Sequence, residues 1–214
     1  MKDRLEEIGD QIREFLEEKN AARDRALQGS RTLIRHCSKA IRAVHRDERD
    51  LARQHLDQAG EIVSTLSHEL SDYPDLHHAG YTQSGLKEFA EAHIFYALAG
   101  DEPIPHPDEL GVDYAAYLGG LGEAAGELRR RVLDIIRHDK LARADHLLEA
   151  MDEIYGLLVT IDFPDAITGN LRRITDMVRG VTERTRGDLT TTRRQNELKH
   201  ALEAVEKKLD QAGK

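Results

Sequence analysis

At 214 residues the chain is long enough for one large domain or two small ones, and 39% hydrophobic content lifts it above disordered compositions while leaving it lean for a globular monomer. A formal charge of -9 argues against coating DNA nonspecifically with the whole surface. A single cysteine, Cys37, excludes an intrachain disulfide and a cysteine-rich zinc site.

Abundant Ala, Leu, Glu and Arg, five prolines and only 5% aromatic residues point to an all-α chain. Residues 3–45 read as one long helix, or two joined near Gly29. Its apolar positions Leu5, Ile8, Ile12, Phe15, Leu16, Leu27, Leu33, Ile34, Ala40, Ile41 and Val44 keep close to a 3.6-residue period. A second helix is expected over 47–70, then a turn-rich stretch from Asp72 to Gly80. Thr82 or Ser84 is placed to cap a third helix that reaches Leu98. Pro103, Pro105 and Pro107 rule out continuous helix between Gly100 and Gly111. The fourth helix is expected over 112–138, interrupted at His138 or Asp139, and the fifth over 141–156. Pro164 suits the start of a sixth, which runs to Arg186 and stops at Gly187. The last, 190–211, carries Leu198, Leu202, Val205 and Leu209 on one stripe, a face for loose packing or for a partner. Seven helices with short joins make an all-α bundle, and further burial in an oligomer would offset the lean composition. The charged start Met1–Glu7 lacks an apolar signal core, and no apolar run approaches the roughly 20 residues of a membrane span, so a cytoplasmic protein is expected.

Two helical segments carry the chemistry. Leu86–Ala92 sets Glu88 and Glu91 at i,i+3, and Gly122–Leu128 sets Glu123 and Glu127 at i,i+4, so each pair shares a helical face. Phe95 falls between the two glutamates of the first pair, which suggests a face that is not simply bulk solvent. On the second helix Ala116, Gly120 and Ala124 share the face of Glu123 and Glu127, and such small residues let a neighbouring backbone approach. Neither Glu88 nor Glu123 has a histidine three residues on, which speaks against a di-iron site. All-oxygen ligation suits Mg²⁺ or Mn²⁺, which can activate water and neutralise charge growing on a phosphoryl oxygen. The competing reading is a solvated surface with intersubunit ion pairs, because a chain with 40 acidic residues repeats such spacings by chance, as at Glu14 and Glu17. Residues 172–186 hold five arginines against Asp176 and Glu183, a local excess of basic charge suited to phosphate.

The run Phe163–Arg173, followed by Thr175-Asp176, Arg179-Gly180 and Glu183–Asp188, resembles the C-terminal signature of archaeal proteins of the translin/TRAX (translin-associated factor X) family. So do Tyr117–Leu121 with Gly122–Arg130, and the Leu86–Ala92 segment; the likeness covers about residues 20–188 in the right order. That resemblance implies a seven-helix translin-like subunit of a hollow oligomer, a homo-octamer, whose basic interior binds single-stranded RNA or DNA. It implies a body over residues 1–188 and an additional C-terminal helix over 189–214 that the family pattern does not require. It further implies a Mg²⁺-dependent endoribonuclease of the TRAX type, with Glu88, Glu91, Glu123 and Glu127 as catalytic carboxylates and metal ligands. Glu123 stands where Asp is usual, which lengthens the reach to the ion by one methylene. Arg31, Arg35, Arg130, Arg131, Arg172, Arg173 and Arg179 are the candidate contacts to the nucleic-acid backbone; intersubunit ion pairs are the alternative role for each. Without Trp, stacking platforms are scarce and phosphate contacts should dominate. A hollow shell favours single-stranded or short RNA. The other readings are a single-stranded RNA/DNA-binding particle without catalytic activity, and a helical adaptor with no salt-dependent affinity for nucleic acid.

Overall fold

The computed structural model describes residues 1–138 and 140–212; Asp139, one of the two expected interruptions, lies outside the described residues, as do Gly213 and Lys214. No strand occurs among the described residues. Six long helices carry the fold: α1 (Lys2–His45), α2 (Arg49–Glu69), α4 (Gly80–Ala99), α6 (Tyr114–Ile136), α7 (Leu141–Leu158) and α9 (Leu171–Ala212). Three single turns, α3 (Pro74–His77), α5 (Pro107–Leu110) and α8 (Asp165–Thr168), sit in the connections.

Contacts between the helices fix their directions. Gly85 of α4 abuts Ser30 and Leu33 of α1, and further along the Phe95 ring meets His45, so α1 and α4 run parallel. Gln83 meets Asp113 while Glu91 meets Gly120, so α4 and α6 are also parallel. Gly119 faces Ile174 and Arg129 pairs with Asp188, which adds α9 in the same direction. Returning antiparallel, α2 packs on α1 and α4 through Leu66 at Gly29 and Arg49 on the Tyr96 ring. The other antiparallel helix, α7, packs against α9, where Arg186 meets Asp152 and Arg193 meets Asp145. The core lies between these helices and includes Leu33, Leu86, Phe95, Leu121, Leu128 and Met151.

A parallel α4–α6 pair forces the chain from Gly100 to Asp113 back along the whole of α4, about 30 Å for 20 residues. Pro103 and Pro105 keep this return extended, Pro107 opens the turn α5, and the Tyr117 hydroxyl donates to the Pro105 carbonyl at 2.8 Å.

Several expected boundaries move. Neither Thr82 nor Ser84 caps α4: Ala79 is its N-cap, and the buried Thr82 hydroxyl instead donates to the Leu76 carbonyl at 2.8 Å. Pro164 begins only the turn α8, because Gly169 and Asn170, at φ 61° and 66°, break the helix before α9. Gly187 does not end the following helix. A mid-helix glycine costs about 1 kcal/mol, and ion pairs from Arg186, Asp188 and Arg193 hold the backbone on both sides of it. The last segment therefore continues α9 rather than forming a separate helix. Gly29 likewise leaves α1 unbroken.

Both ends of these long helices leave apolar stripes uncovered by their own chain: Leu5, Ile8, Ile12, Phe15 and Leu16 on α1, and Leu198, Leu202, Val205 and Leu209 on α9. No helix of the described residues is long and apolar enough to cross a membrane.

Candidate metal centre and nucleic-acid face

The centre begins with a missing side chain. A Cβ on Gly120 would stand 2.7 Å from both the Glu91 nitrogen and the Lys87 carbonyl oxygen, so α6 touches the α4 backbone there. A Cβ on Gly122 would overlap Ile174 of α9. The α4–α6 contact is the most extensive in the bundle, and it brings the two carboxylate pairs face to face.

Carboxylate oxygens of Glu88, Glu91 and Glu123 all lie within 4.8 Å of one another. Glu127 joins them on the wall of a cleft of about 430 Å³, completed by Ser38, Ile41 and Arg42 of α1, Arg130 of α6 and Met177 of α9. Glu91 sits deepest, 7% exposed. Burial, together with the charges of Glu88, Glu123 and Glu127, pushes its carboxyl up to about 8. Glu88 is raised by burial and by Glu123. Beneath them, burial and the Glu88 and Glu91 charges push the Cys37 thiol up, which keeps it protonated and unreactive. The Lys87 ammonium pairs with Glu123. The cluster is thus short of positive charge, and its donors are all hard oxygens.

Two supports, His45 and Arg42, are not among the residues singled out from the sequence. His45 Nε2 donates to Glu127 Oε2 at 2.5 Å while its ring packs on Phe95, which orients that carboxylate. Arg42 reaches the cleft from α1, its Nε donating to the Ser38 carbonyl at 3.0 Å. Arg42 had a usable signal, because Arg31, Arg35, Ser38 and Arg42 share one stripe at i, i+4, i+7 and i+11. Nothing local marks His45, whose partner is 82 residues away.

The predicted arginines divide into three groups. Arg31 and Arg35 line a hollow beside the cleft on the Arg42 stripe, and the exposed Arg130 lies 4.0 Å from Glu127. Arg173 shares the Met177 stripe of α9 at i−4, and Arg184 continues it at i+7. Arg172 and Arg179 fall on a different stripe, continued at seven-residue intervals by Arg186 and Arg193. There Arg172 pairs with Asp162 at 3.3 Å, on the side of α7. Arg131 is committed within the fold: it donates to the His45 carbonyl at 3.1 Å and pairs with Asp47, closing the end of α1.

No family model matches the chain. It is 32% identical over 199 residues to the uncharacterized protein MJ0175 of Methanocaldococcus jannaschii, covering 92% of this chain and 88% of that one. Among solved structures it is similar to AfC3PO at 31% identity and TM-score 0.81, covering 87% of this chain and 97% of that one. The AfC3PO–duplex RNA complex matches at 30% identity and TM-score 0.80, with 87% and 96% covered. Apo-NeC3PO, at 23% identity and TM-score 0.73 with 88% and 96% covered, shares the fold.

Proposed function

The chain belongs to the C3PO (translin/TRAX-like) family, and from that premise we propose that it is a metal-dependent endoribonuclease that binds RNA along the face shared by α1, α6 and α9. The observation that carries this reading is the convergence of Glu88, Glu91 and Glu123 within 4.8 Å, with Glu127 on the same cleft wall. The four carboxylates fit a hard divalent cation, since the group is all-oxygen, half-buried to buried, and raised at Glu88 and Glu91 by burial and then by the neighbouring carboxylates. Glu88, Glu91 and Glu123 would hold Mg²⁺, or Mn²⁺ in its place, with Glu127 beside them. When bound, such an ion neutralises charge on a phosphoryl oxygen and makes water more acidic.

The chain's own groups do the rest. Glu127, oriented by His45, is placed to accept a proton from the attacking water. Arg42 and Arg130 flank the carboxylates and hold the phosphodiester against their repulsion. Arg31 and Arg35 extend the contact along α1, and Arg173 extends it along α9. Arg172 and Arg179 lie aside from this track, and Arg131 serves it by holding the end of α1. Residues 1–188 supply the site; 189–214 would add an assembly surface. The uncovered stripes at Leu5–Leu16 and Leu198–Leu209 support self-association; a hollow homo-octamer in the cytoplasm is the assembly inferred from the family. AfC3PO was solved with duplex RNA, so single-stranded RNA, short duplex RNA and ssDNA are all to be compared as ligands.

The test is cleavage of end-labelled single-stranded and duplex RNA with Mg²⁺, Mn²⁺ or EDTA, beside light scattering for the assembly mass. Cleavage by the wild type, lost with EDTA and in Glu91→Gln and Glu127→Gln while RNA binding persists, is the expected result. A wild type that binds RNA and cuts none with either ion would leave a binding particle without catalytic activity.

A further inference from the structure

A second constellation of donors lies at the N-terminal end of the α4–α6 pair. His77 closes α3, His78 is its C-cap, and Asp113 is the N-cap of α6. One donor atom from each lies within 4.8 Å of the other two. His77 Nε2 is 3.2 Å from Asp113 Oδ2, and His78 Nδ1 is 3.7 Å from the same oxygen. Ligands held 2.0–2.1 Å from a tetrahedral zinc ion stand about 3.4 Å apart, so these donors are already near the edges of such a polyhedron.

Two features set this apart from a chance surface cluster. An N-cap aspartate ordinarily accepts a backbone N–H from the first turn of its helix. Asp113 makes no such bond and turns its carboxylate to the imidazoles. Gln83 of α4 then fixes it there, donating to Asp113 Oδ2 at 2.7 Å and to the His77 carbonyl at 3.0 Å. A hydrogen bond of this kind to a ligating carboxylate is a support that metal ligands normally receive, and the bond to the His77 carbonyl ties α3 to the same residue. The two rings meet nearly edge to face at 87°, and a nitrogen of each lies near Asp113 Oδ2, that of His77 within hydrogen-bond distance of it.

We propose that His77, His78 and Asp113 form a zinc-type site, separate from the carboxylate cleft and taking a borderline divalent ion rather than Mg²⁺. Two imidazoles and one carboxylate suit Zn²⁺, whereas Mg²⁺ prefers oxygen alone. His78 is 65% exposed, so the remaining coordination position opens to water. The ion would join the α2–α4 connection to the start of α6 and thereby pin the near end of the α4–α6 pair. Asp113 precedes Glu123 by ten residues, about 15 Å along the helix, so both sites fill independently.

Tag-free protein stripped with EDTA is titrated with Zn²⁺ against a chromophoric chelator, in the wild type and in a Glu91→Gln/Glu127→Gln background that weakens the other cluster. One equivalent retained in that background, and lost on adding His78→Ala or His77→Ala, is the expected result. Gln83→Ala should weaken the same equivalent by about 10–100-fold. His78 is exposed, so His78→Ala keeps the wild-type circular dichroism, and Zn²⁺ should raise the melting temperature of the wild type but not of this variant. Equal Zn²⁺ stoichiometry and affinity with and without His78, or no retained equivalent in the background protein, would overturn the assignment.

Discussion

Replacing Gly120 by Ala tests whether the carboxylate cleft depends on backbone contact between α4 and α6. The added methyl carbon would meet the Glu91 nitrogen and the Lys87 carbonyl at 2.7 Å, and both are backbone atoms that cannot rotate away. Ordinary contact begins at 3.4 Å, so α6 must retreat by about 0.7 Å at the level of the carboxylates. Overpacking of this kind costs about 1–3 kcal/mol, and the better helix propensity of alanine returns about 0.5–1. The variant should be destabilised by roughly 0–2.5 kcal/mol. Gly126→Ala is the internal control, because its added carbon meets nothing within 4 Å, and it should gain about 0.5–1 kcal/mol. Urea midpoints at one fixed protein concentration report the difference. The retreat also spreads Glu123 from Glu88 and Glu91, so Mg²⁺-dependent cleavage should fall roughly tenfold or more in Gly120→Ala, since even 1 Å of misplacement can cost ~100-fold. A Gly120→Ala protein as stable and as active as Gly126→Ala would refute the account of how the two helices build the site.

The pH dependence follows from Glu91. Its carboxyl is raised to about 8, so the folded chain holds a proton there that the unfolded chain releases near its ordinary carboxylate value. In EDTA, stability should therefore fall as pH rises from about 4.5 to about 8 and then level off. Saturating Mg²⁺ should stabilise more at pH 8.5 than at pH 6, and Glu91→Gln should flatten the EDTA curve; urea midpoints across pH check all three. Salt dependence separates the arginines. Arg35→Ala and Arg42→Ala should each lower the slope of log K against log salt for RNA by about 0.7–0.9, measured by filter binding. Arg131→Ala should leave that slope unchanged and lower the melting temperature instead, because its guanidinium is engaged with His45 and Asp47.

Much of this arrangement was legible because helices write their burial at a fixed period. Leu86, Phe89, Ala90 and Ile94 on α4, and Leu121, Ala125, Leu128 and Val132 on α6, are the buried stripes their spacing implies. The small residues at Gly120 and Ala124 announced a close neighbour, although not which one. Helix ends were read less well. Gly187 looked like a terminator, yet side chains from α6 and α7 hold the backbone past it, and that support comes from residues 34 to 59 positions away. Pro164 looked like the start of a long helix, but the left-handed pair Gly169 and Asn170 decides where that helix begins. Within the site, the four glutamates were legible as helical pairs. Lys87, which pairs across to Glu123, and His45, which orients Glu127, were not, because each contact joins helices far apart in sequence.

Glu88 and Glu91, raised by burial and by the carboxylates around them, work against folding, most strongly at Glu91, so exchanging either for a neutral side chain removes that cost. Mutational drift toward a silent scaffold is therefore downhill thermodynamically. A lineage that keeps the two buried carboxylates does so against its own stability, and one that loses either remains a sound helical shell able to grip a polyanion without cutting it.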